Sequence, residues 1–184
     1  MIGINRLATG ARFACILALA TCALLSPAHA ETNAVDAQVA IVTRGQFIKV
    51  EDLHFGVVIP SAVAGVVTVA PSNARTSTGG VTLVGNLHHA AEFAGQKPSG
   101  NAPVQISVGS ATIQLTGPGA PMTVSLFRGN TNPGQVLTPV PRNFQVQGQS
   151  NGAFELRVGA TLAVGGNQAP GTYTGNWTIT LNFQ

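Results

Sequence analysis

From Tyr173 to Phe183 the chain alternates without a break. Tyr173, Gly175, Trp177, Ile179, Leu181 and Phe183 share one parity, and Thr174, Asn176, Thr178, Thr180 and Asn182 share the other. Successive side chains of an extended strand leave on opposite faces, so this run separates an apolar face from a polar one only as a β-strand. Shorter runs repeat the pattern: GVVTVAP at 65–71, GGVTLVG at 79–85, PVQISV at 103–108, PMTVSLF at 121–127 and FELRVGATLAV at 154–164. No helix-period segment exceeds two turns. Turn residues punctuate the runs, helped by 22 glycines and 11 prolines. Roughly nine to eleven short strands at this spacing predict one all-β domain, an immunoglobulin-like two-sheet sandwich, with a barrel as the alternative.

Individual segments carry finer expectations. In FIKVEDLHFG, Lys49 and Glu51 interrupt the apolar parity, so the regular part is expected near Leu53 and Phe55, closed by Pro60. SNARTSTGG reads as a turn region. PMTVSLF places Met122, Val124 and Leu126 on one face. The proline-rich stretch 133–142 reads as a loop. AVDAQVAIV, 34–42, reads as a separate strand with Val35, Ala37, Val39 and Ile41 on one face.

The first thirty residues have the form of a secretory signal peptide. Arg6 and Arg12 precede the apolar run FACILALATCALL, and SPAHA places Ala28 and Ala30 ahead of a cleavage point before Glu31. The apolar run is short for a membrane span. This predicts domains at 1–30 (signal peptide), 31–45 (an N-terminal extension) and 46–184 (a single sandwich), and no stable transmembrane segment after cleavage. Cys15 and Cys22 would leave with the signal, so the working chain holds no thiol. Loss of Arg6 and Arg12 brings its charge close to neutral. No basic stripe remains, so nucleic acid is not expected as a partner.

Reactive groups are sparse. His88, His89 and Glu92 form the one cluster with metal-ligand chemistry, but adjacent strand residues point to opposite faces and a structural site needs further ligands. No GxSxG, GxGxxG or phosphate-loop pattern is present. The expectation is no catalytic residue, no cofactor and no metal.

A large apolar strand such as 173–183 belongs between two neighbours. The chain stops at Gln184, so one neighbour must come from elsewhere in the chain or from another chain. Segment 34–42 is a candidate. The final segment resembles subunits assembled by a periplasmic chaperone and an outer-membrane usher. Those carry a glycine fourteenth from the end and an aromatic residue next to last, positions held here by Gly171 and Phe183. The resemblance implies an immunoglobulin-like sandwich that lacks its last strand, filled by the next subunit's N-terminal extension. Gly171, Tyr173, Trp177, Ile179, Leu181 and Phe183 would then form the assembly strand, and Val35, Ala37, Val39 and Ile41 the donor face.

A broader resemblance covers LHFGVVIP (53–60), GVVTVAP (65–71), GGVTLVG (79–85) and FELRVGATLAVGGNQAPGTYTGNWTITLNF (154–183). These segments are similar to the bacterial secreted domain of unknown function 4402. That family looks related to the spore-coat protein U and archaic pilin group. His54 stands where the family usually has aspartate, and the disulfide common among pilins is absent. The resemblances imply a non-enzymatic structural subunit of a surface fibre, with like subunits, a periplasmic chaperone and an usher as partners. It would be exported through the periplasm to the cell surface. The alternative is a self-contained secreted sandwich acting as a coat or binding module.

Overall fold

The computed structural model describes residues 39, 41–98, 102–132, 134–146, 148 and 151–184. The segments 1–30 and 31–38 lie outside the described residues. The body from Ala40 to Gln184 contains eleven β-strands and no helix among its described residues. They are β1 (Gln46–Glu51), β2 (Val57–Val69), β3 (Arg75–Val84), β4 (Ala91–Gln96), β5 (Val104–Val108), β6 (Thr112–Leu115), β7 (Met122–Gly129), β8 (Thr131–Asn132), β9 (Arg142–Val146), β10 (Ala153–Val164) and β11 (Ile179–Phe183).

Two antiparallel sheets enclose one core, so the protein is a β-sandwich. The larger sheet is organised by β10, the longest alternating run after the final segment. One flank of β10 pairs with β4 along Ala153–Val158 and with β2 along Ala160–Val164. Its other flank pairs with β7. β1 extends the sheet beyond β4, β3 beyond β2, and β6 beyond β7. The smaller sheet runs β11–β5–β9–β8. The orders β1–β4–β10 and β11–β5–β9 match the A-B-E and F-C-C′ orders of immunoglobulin sandwiches, with the β2–β3 hairpin inserted. Val67, Phe93, Leu156 and Val158 of one sheet, with Val104, Ile106 and Phe144 of the other, form the buried interior.

Several expectations require correction. The strand near the start is its first part, Gln46–Glu51, and Leu53 and Phe55 follow it outside any strand. Ladder pairing with β4 at the rim outweighs the charges, because Lys49 reaches solvent there and bonds Asp52. Pro60 does not end a strand. It sits within β2 opposite Val81, in the part of β2 that β10 does not reach, where a missing N–H is tolerated. SNARTSTGG is a turn only in its first half, since β3 starts at Arg75.

β7 breaks its own alternation. Met122 and Val124 are buried, but Leu126 is half-exposed and Phe127 is fully buried. The register against β10 shifts here, with Leu126 and Phe127 facing the single residue Ala160. Leu126 takes φ +54°, the left-handed conformation of a β-bulge. The bulge turns Phe127 inward, where its ring stacks on Trp177 at 5.0 Å. As expected of a loop, the described residues from 134 to 141 lie in no strand, but they are pinned to the core. Leu137 is buried and its N–H donates to the Phe127 carbonyl at 2.7 Å.

The β2–β3 hairpin bends sharply at a bulge around Ser61–Ala64, which brings Arg75 back to its open end. The Arg75 guanidinium donates to the carbonyls of Gly85 (2.6 Å), Phe55 (3.0 Å), Val84 (3.2 Å) and Val57 (3.5 Å). One planar cation thus ties both ends of the hairpin.

Candidate assembly groove

The final alternating segment does two jobs. Only Ile179–Phe183 is a strand; Tyr173, Gly175 and Trp177 lie on the connection leading to it. This corrects the expectation of one continuous strand from Tyr173. Side-chain parity nevertheless persists. Leu181 is buried, Tyr173, Trp177, Ile179 and Phe183 are half-buried against the core, and the intervening threonines and asparagines are exposed.

Tyr173 anchors the connection. Its hydroxyl donates to the Ala169 carbonyl at 2.9 Å and accepts from the Gly119 N–H at 3.0 Å and Gln168 Nε2 at 2.8 Å. A tyrosine bonding backbone four residues upstream, just before a strand of the second sheet, is the tyrosine corner of immunoglobulin-like sandwiches. Gly171 permits the approach to that corner. Its φ is +144°, and a Cβ there would lie 2.5 Å from Pro118 Cγ. The chemistry that the sequence assigns to Gly171 and Tyr173 is therefore positional: they set where β11 begins.

Trp177 enters the core between the sheets. Its ring stacks on Phe127 and meets Phe93 edge-on at 6.0 Å. Phe93 in turn contacts Phe47 of β1 at 6.1 Å. Further along, the Phe183 ring lies 5.9 Å from Phe154. Phe154 occupies the space above Gly95, where a Cβ would come within 2.5 Å of its ring. These contacts define an aromatic seam between β11 and the β1–β4 pair.

β11 pairs with β5 and, among the described residues, with no strand on its other flank. In the immunoglobulin order that flank carries strand G. Across the gap lies β1, the edge of the larger sheet. Between the edges is a cavity of about 300 Å³ lined by Phe47, Ala91, Phe93, Trp177 and Ile179 and, on the connection before β11, by Gly175, Asn176 and Thr178. Lys49 and Asp52 also line it and form an ion pair at 2.7 Å. A trough of mixed aromatic and polar lining, beside a strand edge that no described strand covers, can accept an extended peptide through backbone hydrogen bonds and alternate side chains.

The candidate donor residues are partly visible. Val35 and Ala37 lie outside the described residues. Val39 and Ile41 are 87% and 88% exposed and lie in no strand. Sequence reasoning missed Phe47 and Phe93, the opposite wall of the groove. Phe47 shares a parity with Lys49 and Glu51, which masked its apolar role; its inward face follows from its pairing with Gly95.

The histidines sit elsewhere in the fold. His54 and His89 form an isolated β-bridge outside the named strands, with rings stacked at 5.5 Å. His54 Nδ1 accepts from the Gly56 N–H at 2.9 Å, and His88 Nε2 lies 3.0 Å from the Asn73 carbonyl. Glu92 pairs with Arg157 at 3.4 Å. Among the described residues no group of three or more His, Cys, Asp or Glu converges as metal ligands would, and no helix is long and apolar enough to cross a membrane.

No curated protein and no solved structure matches the chain. The family model of the domain of unknown function DUF4402 matches residues 46–183, from the first residue of β1 to the last of β11. The matched region covers most of the sequence, and the chain belongs to the DUF4402 family.

Proposed function

We propose that this protein is a non-enzymatic structural subunit of an exported surface fibre, joined to like subunits by β-strand donation. The observation that carries the reading is the flank of β11 that pairs with no strand among the described residues, beside a cavity lined by Phe47, Phe93, Trp177 and Ile179 together with Lys49, Asp52, Asn176 and Thr178. A strand edge above exposed apolar surface is an aggregation hazard unless something covers it. Residues 31–45 carry, in Val35, Ala37, Val39 and Ile41, the alternation that a donated strand needs. Donation from one copy to the next is heterologous and does not close, which yields a filament. Export through the periplasm, guarded by a chaperone and an usher, follows from the N-terminal signal pattern and the pilin resemblance of Gly171 and Phe183. Adhesion through exposed loops is a further role for such a fibre.

Deletion of residues 31–43 tests this reading. The full chain should give polymer ladders on an unboiled denaturing gel, and the deleted chain should run as a monomer with its fold retained. Unchanged ladders after deletion would remove strand donation as the assembly mechanism. A well-folded full chain without ladders would favour a self-contained secreted sandwich.

A further inference from the structure

The outer face of the larger sheet carries a second concavity, which shares no lining residue with the groove between β1 and β11. Val67, Val69, Val124 and Leu162 point into the core, so their neighbours along β2, β7 and β10 point outward. The ladder registers align these neighbours across the sheet. One row runs through Thr112, Ser125, Thr161, Thr68 and Thr76, on β6, β7, β10, β2 and β3. The next row runs through Gln114, Thr123, Ala163, Val66 and Thr78, with Ala163 set beside Thr123 by the Leu162–Val124 pair. Polar atoms in these rows meet: Thr68 Oγ1 lies 3.1 Å from Thr161 Oγ1, and Gln114 Nε2 donates to Thr123 Oγ1 at 3.0 Å. Past the second row the side chains shrink to Ala64, Gly65, Gly79 and Gly165, and an open cavity of about 480 Å³ forms over Thr123, Ala163, Val66 and Thr78. Glycine is required at its rim. Gly79 has φ +73°, and a Cβ there would lie 2.5 Å from the Ala64 carbonyl oxygen.

Three features define what this trough can hold. The first is charge. β2 and β6 contain no charged residue. Arg75 of β3 is committed to carbonyls at the open end of the hairpin, and Glu155 and Arg157 lie where β10 pairs with β4. Arg128 of β7 stands opposite Gly159, beyond the row of Thr161. A charged ligand in the trough would therefore lose water without gaining a counter-ion. The second feature is the backbone. At this level β7, β10 and β2 each have a strand on both flanks, so their N–H and C=O groups are engaged. An extended peptide cannot add to them as a further strand. The third is the mixture of groups. Val66 and Ala163 present methyl groups along the middle of the floor, and Thr123 and Thr78 present hydroxyls towards its two ends. A hydroxyl both donates and accepts, which matches a ligand that itself carries hydroxyls around apolar ring faces.

We infer that this trough binds a neutral polysaccharide, laid across the strands from Thr123 to Thr78 with sugar-ring faces on Val66 and Ala163. The span covers three inter-strand steps, roughly 14 Å, which suits linked sugars better than a single one. The β11 flank takes no part, so the inference stands independently of strand donation.

Affinity electrophoresis of the full exported chain tests this. Native gels are cast with dextran, galactomannan or xyloglucan as neutral polymers and with alginate as an anionic one, and mobility is compared with a polymer-free gel. At least one neutral polymer should retard the chain, and alginate should not. Ala163→Glu and Thr78→Glu each place a carboxylate in the trough at an exposed position. Each should weaken the retardation about ten-fold or more. Thr180→Glu adds the same charge at an exposed position of β11, in the other sheet, and should leave the retardation unchanged. Thermal unfolding at the parent temperature shows that a variant is folded, and Thr78→Glu, on the edge strand β3, still reads the trough if Ala163→Glu unfolds. Retardation by no neutral polymer would overturn the inference, and so would retardation by alginate alone. Retardation retained in every folded trough variant would overturn the placement of the site. Loss of ladders on unboiled gels together with loss of retardation would overturn the polysaccharide reading in favour of a contact between copies.

Discussion

Tyr173→Phe keeps the ring and removes one oxygen, so it isolates the hydrogen bonds of the corner before β11. The hydroxyl uses its full capacity of one donor and two lone pairs. Its loss strands the Ala169 carbonyl and the Gly119 N–H. Gln168 loses less, because its Nε2 retains the Ala120 carbonyl at 2.6 Å. A buried backbone group left unpaired costs about 1–3 kcal/mol. Gly119 and Ala169 are half-buried, so water compensates in part and about 1 kcal/mol for each is the appropriate end of that range. The expected destabilisation is therefore about 2 kcal/mol, or a Tm lower by about 4–8 °C for a domain of this size. Urea denaturation followed by circular dichroism measures it, with an unchanged m-value showing that the folded state is the same. Gln168→Ala alone should cost less than about 1 kcal/mol. In a double-mutant cycle the two changes should couple, because both remove the same Gln168–Tyr173 bond. A Tyr173→Phe variant within about 0.5 kcal/mol of the parent would refute the argument that this hydroxyl holds the approach to β11.

Three further perturbations probe other parts of the fold. Leu126→Gly should stabilise the domain by about 1 kcal/mol in the same denaturation assay, since it relieves a left-handed φ of +54° at a half-exposed site; a loss of stability would mean that Leu126 packing outweighs its backbone strain. Arg75→Lys retains the charge but not the planar fork that reaches four carbonyls, and should cost about 2 kcal/mol by thermal denaturation. Phe183→Ser removes a half-buried ring packed on Phe154 and should destabilise by about 1–2 kcal/mol while reducing ladder formation; stability and assembly both at the parent level would count against an inward-facing β11.

Much of this architecture is legible in the sequence because a period of two is a local property. The runs at 65–71, 79–85, 103–108 and 154–164 all lie within or across observed strands, and the β-sandwich follows from their number and spacing. Parity within the final segment is equally local, and it identifies the inward side of Trp177, Ile179, Leu181 and Phe183 even where no ladder forms. Departures arise where long-range pairing overrides the pattern. β1 is a strand despite Lys49 and Glu51 because β4 offers a ladder at the rim, and the β7 bulge reverses Leu126 and Phe127 because β10 fixes the register on either side.

The sequence alone determined that Leu181 and its neighbours bury a face, since that depends only on which residues alternate. It could not determine what lies beside them. Neighbours in a sheet are chosen by backbone hydrogen bonds between segments far apart in the chain, and by the space left between aromatic rings of opposite sheets. Only the tertiary structure set β11 against β5, left its other flank free among the described residues, and opened the cavity at the Phe93–Trp177 end while Phe154 filled the other.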